Sequence, residues 1–151
     1  MKGIWPMIGT LEVRTPRHVW IVGLLALVWN AFGCTDFTMT VTRNPEWLAP
    51  LSPEMIDWLD ASPSWAVATW ALGVWGGLAG ALLLLLRSRW AVAAFTTSLL
   101  GLAVNQIYPF ISEVPGMLTS PASIAITLVI WIVAVSLLWY AVRMRNGGVL
   151  R

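Results

Sequence analysis

The side chains that could recognise a ligand in this sequence are two asparagines, a glutamine and a short polar run, all within or beside long apolar stretches. They are Asn30, Asp36, Thr40, Arg43, Asn105 and Gln106. Amides and hydroxyls both donate and accept hydrogen bonds, so this set suits the hydroxyl groups of a small neutral solute. Asp36, Thr40 and Arg43 are four and three residues apart, so one face of a helix would carry all three. Trp70 adds a ring for stacking.

Catalytic and metal-binding constellations are absent from the sequence. One histidine, His18, and one cysteine, Cys34, leave no cluster for a metal, a disulfide framework or a histidine-based triad. There is no glycine-rich phosphate loop, no nucleophile elbow and no pair of carboxylates inside an apolar stretch. Cys34 is typical of a small buried hydrophobe, and a lipoprotein-type signal ending at this cysteine is the alternative. We therefore expect no enzyme, no metal and no cofactor.

The composition indicates that these side chains lie in a membrane. Of 151 residues, 58% are hydrophobic and 11% are charged, against about 25% charged in a soluble domain. The net charge of +2 is too small for nucleic-acid binding. A helix needs about 20 apolar residues to cross the bilayer core, and four stretches qualify: about 19–37, 65–86, 90–110 and 122–142. The sequence therefore predicts a single all-α domain over 1–151, a four-helix transmembrane bundle whose partner is the lipid bilayer.

Basic residues indicate the direction of the spans. Eight of the nine lie before span one, between spans two and three, or after span four: Lys2, Arg14, Arg17, Arg87, Arg89, Arg143, Arg145 and Arg151. Because basic residues near span ends stay cytoplasmic, both termini are expected inside. Loop 44–64 then lies outside. Asn44-Pro45 should end the first helix, and Ser52-Pro53-Glu54 predicts a short interfacial helix.

Span two carries a stripe of small residues that lets helices approach closely: Gly73, Gly76, Gly77 and Gly80. Gly73 and Gly77 have the small-xxx-small spacing, and so have Gly76 and Gly80. Contact within the same chain is favoured, and a homodimer interface is the alternative.

Asn30 lies near the middle of span one, ~16 Å into the bilayer. Trp75 and Trp131 lie at a similar depth on spans two and four. An indole N–H in hydrocarbon needs an acceptor, so we expect Asn30 to hydrogen-bond to one of the two indoles. Such a bond between helices contributes about 0.6–2 kcal/mol, and solute recognition by the same layer is the alternative. No ionisable residue lies at mid-membrane, which disfavours a proton-driven carrier.

The outer half of the bundle is polar and the inner half is nearly all aliphatic. One hypothesis is a vestibule that faces the periplasm and accepts a small neutral polar solute. The other is a helix end in contact with water, where an exposed Asp36–Arg43 pair contributes ~0–1 kcal/mol.

Several short motifs resemble a family of small four-span bacterial inner-membrane proteins that are provisionally labelled sugar transporters. The matching pieces are Trp29-Asn30, Gly33, Asp36, Met39-Thr40, Arg43, Pro53-Glu54, Trp70-Ala71, Val74-Trp75-Gly76-Gly77, Leu82–Leu86, Arg87 and Trp90-Ala91-Val92. The resemblance implies an inner-membrane location and a sugar-like solute. The alternative function is a non-catalytic accessory or scaffold subunit of a larger membrane complex.

Overall fold

The computed structural model describes residues 15–113 and 120–151, and over these ranges the chain is helical with no strand. Its elements are α1 (Arg17–Val41), α2 (Pro45–Leu48), α3 (Pro53–Asp60), α4 (Ser64–Leu85), α5 (Trp90–Asn105), α6 (Ile107–Ile111) and α7 (Pro121–Asn146). Four segments are long and apolar enough to cross a membrane: α1, α4, α5 together with α6, and α7. The prediction of an all-α chain with four segments long and apolar enough to span a membrane is confirmed over the described residues. The expectations for Lys2 and Arg14 lie outside the described residues.

The first helix extends four residues beyond the predicted limit at 37 and ends just before Asn44-Pro45, as that dipeptide predicts. The backbone N–H of Asn44 donates to the carbonyl of Met39 at 3.0 Å, and Arg43 takes a left-handed conformation with φ 56°. This is the geometry in which helices commonly end, although glycine usually holds the left-handed position. Since Arg43 lies beyond the helix, its side chain leaves the face of α1 that carries Asp36.

The predicted short helix in the loop is present as α3. Ser52 caps it, because its hydroxyl accepts a hydrogen bond from the backbone N–H of Met55 at 3.3 Å, and Pro53 occupies the first turn. Met55 is buried, whereas Glu54 and Asp57 are exposed. The apolar side of α3 therefore packs on the bundle.

The third span is interrupted, in contrast to the continuous helix expected over 90–110. Gln106 separates α5 from α6. Pro109 has no backbone N–H to donate to the carbonyl of Asn105 one turn earlier, so the helical ladder loses a bond there. The interruption sets Asn105 and Gln106 at a helix end within the span.

The long helices pack in the order α1, α4, α5, α7, and the α4–α5 contact is the most extensive. Glycines make this contact close: a methyl group on Gly101 would lie 2.7 Å from the backbone nitrogen of Gly73. The hydroxyl of Ser98 donates to the carbonyl of Gly73 at 2.5 Å. A methyl on Gly76 would lie 3.2 Å from the backbone nitrogen of Ser98, and one on Gly80 would lie 2.6 Å from Phe95. These contacts are all within the chain.

The two ends of the bundle differ in character. One end, called the arginine end, carries Arg17, Arg87, Arg89, Arg143, Arg145 and Arg151; the other, called the loop end, carries α2, α3 and α6. The buried core lies towards the arginine end and contains Ala26, Ala81, Leu84, Ala91, Phe95, Ala141 and Leu150.

Helix α7 and the segment after it make their hydrogen bonds to the rest of the bundle at the arginine end. There Nδ1 of His18 lies 2.5 Å from the hydroxyl of Tyr140. The chain after α7 folds back, and Leu150 is only 5% exposed. The N–H of Arg151 donates to the carbonyl of Arg87 at 2.8 Å, and the N–H of Arg89 donates to the carbonyl of Arg151 at 2.9 Å. Elsewhere α7 is little covered, since Ile126, Leu128 and Ile132 are each more than half exposed.

Candidate functional site

Two adjoining hollows occupy the half of the bundle nearer the loop end. The central cleft has a volume of about 350 Å³ and is lined by side chains of α1, α4, α5 and α7, with Gln106 at one end. The loop-end pocket has a volume of about 260 Å³ and lies between the end of α1, α3, α4 and the α5–α6 break. Trp70 and Asn105 line both hollows. These two side chains therefore form the boundary between them.

The hollows end where the core begins. Phe95 lines the central cleft and also belongs to the core, in which it is 3% exposed. Its ring lies against Gly80, where a methyl group would be 2.6 Å from Phe95 Cδ1. Leu84, still nearer the arginine end, is fully buried. Phe95 is thus the floor of the cleft, and below it the bundle is closed.

Asn30 lines the cleft, but it does not bond to an indole. Its Nδ2 donates to the carbonyl of Ala26 at 2.8 Å, within its own helix. Its Oδ1 lies over Gly77, where an added methyl group would be only 2.0 Å away. Trp75 is 50% exposed, and neither it nor Trp131 lines either hollow. The predicted hydrogen bond is therefore wrong, because the space over Gly77 admits the amide between α1 and α4.

Asn105 and Gln106 supply free hydrogen-bonding groups at the break in the third span. Nδ2 of Asn105 donates to the carbonyl of Ala66 on α4 at 2.8 Å, which holds the side chain in place. Within the described residues the Asn105 carbonyl oxygen has no hydrogen-bond partner, nor has the Gln106 amide. Every buried polar side-chain atom of the described residues has a hydrogen-bond partner. Because these two groups have none, both are accessible to solvent. Both groups can therefore bond to a ligand.

Asp36, Thr40 and Arg43 are divided between the two hollows. Asp36 lines the central cleft and accepts a hydrogen bond from Nε1 of Trp47 at 3.0 Å. Thr40 and Arg43 line the loop-end pocket, and Thr40 is only 7% exposed. Arg43 pairs with Asp60 of α3. The alternative of an Asp36–Arg43 pair is therefore wrong, because the left-handed backbone at Arg43 turns its side chain towards α3.

Aromatic side chains form one wall of the loop-end pocket. The rings of Trp58 and Tyr108 are stacked with centroids 4.9 Å apart, and Nε1 of Trp58 donates to the hydroxyl of Ser112 at 3.0 Å. Trp70 meets Phe37 edge-on at 5.0 Å. Trp58 is not among the site residues predicted from the sequence. Its signal is the spacing on α3, where Trp58 is three residues from the buried Met55 and shares its face.

Few charged side chains line the two hollows. Their charges are the carboxylate of Asp36 and the guanidinium of Arg43, and Arg43 is compensated by Asp60. Among the described residues no three His, Cys, Asp or Glu side chains come together as metal ligands. Glu54 of α3 lines neither hollow, and its own backbone N–H and the Ser52 hydroxyl lower the pKa of this carboxyl.

Comparisons with protein-family models, curated proteins and solved structures found no match for this chain. The resemblance to small four-span inner-membrane proteins therefore stays a prediction.

Proposed function

We propose that this chain is a transporter-like membrane protein that binds a small, neutral, hydroxyl-bearing solute in the half of the bundle nearer the loop end. The observation that carries the proposal is the pair of hollows that meet at Trp70 and Asn105 above a closed half of the bundle. A site that is open on one side and closed on the other is what a carrier presents to one side of a membrane.

The orientation forms part of the proposal. The described arginines other than Arg43 lie at one end of the bundle, and basic residues near span ends stay cytoplasmic. With the arginine end in the cytoplasm of a bacterium, the loop-end pocket faces the periplasm across the inner membrane. The chain then takes its ligand from outside.

The side chains favour a sugar-like ligand. Amide groups of Asn105 and Gln106 can donate to and accept from hydroxyls, while Trp58, Trp70 and Tyr108 present rings against which the C–H face of a sugar can pack. The charge of Arg43 is compensated by Asp60, and the carboxylate of Asp36, which accepts a hydrogen bond from Trp47, disfavours an anion. A neutral polyol satisfies all of these groups.

A binding measurement on the whole chain tests the proposal. The protein is purified in amphipol and titrated calorimetrically with a panel of methyl glycosides and linear polyols. Trp70→Ala and Asn105→Ala should each weaken binding of the responsive compound at least tenfold. Trp75→Ala is the matched control, since Trp75 also lies on α4 but lines neither hollow. No binding across the panel, or equal losses in Trp70→Ala and Trp75→Ala, would refute the proposal.

Flux measurements separate a carrier from a binding subunit. In proteoliposomes the wild-type chain should move the bound compound across the membrane, and Trp70→Ala should abolish this flux.

A second candidate is an accessory subunit of a membrane complex, and the observation that favours it is the bare surface of α7. Ile126, Leu128 and Ile132 are each more than half exposed. For this function we expect a membrane partner in stoichiometric amounts on mild purification and no solute flux.

A further inference from the structure

The central cleft opens sideways, towards the lipid. Helices α1 and α7 meet at the arginine end, where His18 contacts Tyr140, but they do not pack closely along their length. Both nevertheless line the cleft, α1 with residues such as Phe32 and α7 with Ile126 and Ile130. Phe32 is 64% exposed and Ile126 is 62% exposed. A window flanked by these side chains therefore joins the cleft to the surface between α1 and α7.

The window lies at the depth of the hydrocarbon. Ile130 is nine residues into α7 from Pro121, which places it ~14 Å along a helix that spans a core of ~30 Å. Phe32, Val74, Leu102 and Ile130 make this part of the lining apolar. A molecule that reaches the cleft by this route comes from the acyl-chain region of the bilayer.

Asn30 and Ser98 also line the cleft, but they donate to the helix carbonyls of Ala26 and Gly73, whereas the Asn105 carbonyl oxygen and the Gln106 amide, which have no partner among the described residues, lie towards the loop end. Trp70, Asn105 and Gln106 line the cleft, and the first two continue into the loop-end pocket with its stacked Trp58 and Tyr108. The wall of the cleft beside the window is therefore apolar, and the amide groups of Asn105 and Gln106 that can meet a headgroup lie towards the loop end. The cleft and the loop-end pocket together complement a molecule with a polar head and an apolar chain.

We infer that the ligand is an amphiphile with a neutral hydroxyl-bearing headgroup in the loop-end pocket and a single alkyl chain in the central cleft, which enters from the lipid between α1 and α7. The inference rests on the proposed function and names the class of its solute.

The test compares ligands that differ only in chain length. The purified chain in amphipol is titrated with the methyl, butyl, hexyl and octyl glycosides of one sugar, each below its micelle concentration. Affinity should rise about fourfold for each buried methylene, which corresponds to ~0.8 kcal/mol. Ile130→Trp, which fills the cleft, should flatten this dependence on chain length. Ile132→Trp is the matched control, because Ile132 is 63% exposed on the same helix and does not line the cleft.

The outcomes are distinct. Binding of the methyl glycoside with no gain from longer chains would overturn the amphiphile inference and leave the proposed function standing. A gain that persists in Ile130→Trp, and also in Val133→Phe as a second cleft-filling variant, would overturn it as well, because the chain would then lie outside the cleft. Failure of every glycoside to bind would refute the proposed function itself.

Discussion

Replacing Gly77 with alanine should displace Asn30 from its place between α1 and α4. A methyl group there would lie 2.0 Å from Asn30 Oδ1 and 3.2 Å from Ser98 Oγ, and the amide would have to move by roughly 1.3 Å to reach an ordinary C···O contact of about 3.3 Å. Because Nδ2 of Asn30 is bound to the Ala26 carbonyl at 2.8 Å, this movement strains or breaks that hydrogen bond.

The magnitude follows from three contributions. Overpacking costs about 1–3 kcal/mol, the lost hydrogen bond costs about 0.5–1.5 kcal/mol, and alanine recovers about 0.5–1 kcal/mol over glycine in a helix. The free energy of unfolding should therefore fall by about 0.5–4 kcal/mol in Gly77→Ala. In the double variant with Asn30→Ala most of this loss should disappear, since the clashing amide is gone.

Equilibrium unfolding in mixed dodecyl maltoside and sodium dodecyl sulfate micelles measures these free energies. The wild type, Gly77→Ala, Asn30→Ala and the double variant form a double-mutant cycle. Gly73→Ala is the control for helix propensity, because a methyl there meets its nearest neighbour at an ordinary 3.5 Å. Equal stabilities of Gly77→Ala and Gly73→Ala, or a coupling energy near zero between Gly77 and Asn30, would refute the reasoning.

Three further predictions concern the helix contacts, the C-terminal segment and α3. Gly101→Ala should destabilise the chain by about 1–3 kcal/mol or more, because its methyl meets the backbone of Gly73 at 2.7 Å and the helices must separate; the same unfolding assay measures this. Leu150→Asp should release the buried segment after α7, which is read by proteolysis at the arginine end. The lowered pKa of Glu54 means that its contribution to α3 is complete above the ordinary carboxyl pKa and is lost as the pH falls through the lowered value. Ser52→Ala should raise the Glu54 pKa towards 4.5, as followed by NMR titration.

Each of these has an outcome that contradicts it. Wild-type stability of Gly101→Ala would show that α4 and α5 are not in close contact there. An unchanged cleavage pattern in Leu150→Asp would show that the segment is held by other contacts. An unaltered titration of Glu54 in Ser52→Ala would remove the hydroxyl as a cause of the shift.

The sequence was sufficient to predict the spans and α3 because both depend on local chemistry. A bilayer demands an apolar run of a fixed length, and a Ser-Pro-Glu start specifies a helix through its cap and first turn. The break at Gln106 could also have been anticipated from Pro109, whose missing N–H weakens the helix one turn earlier.

The partners of individual polar groups could not be predicted in the same way. Asn30 and Trp75 share a depth, but depth does not specify how each helix is rotated about its axis, and in the structure the amide lies over Gly77. Arg43 was assigned to the face of Asp36 by helical spacing, and its left-handed backbone at the helix end removes it from that face. The close approach of Gly101 to Gly73 depends on the register between α4 and α5, which no local pattern encodes.

The attachment of α7 at the arginine end makes this helix a lever with its pivot there. Its 26 residues extend ~39 Å. At the arginine end its Tyr140 contacts His18 of α1, and Arg151, in the segment after α7, bonds to the turn at Arg87. A tilt of only about 10° around that pivot displaces the far end by about 7 Å. A small shift at the arginine end, which faces the cytoplasm in the proposed orientation, would therefore produce a larger change in the distance between α1 and α7 at the loop end.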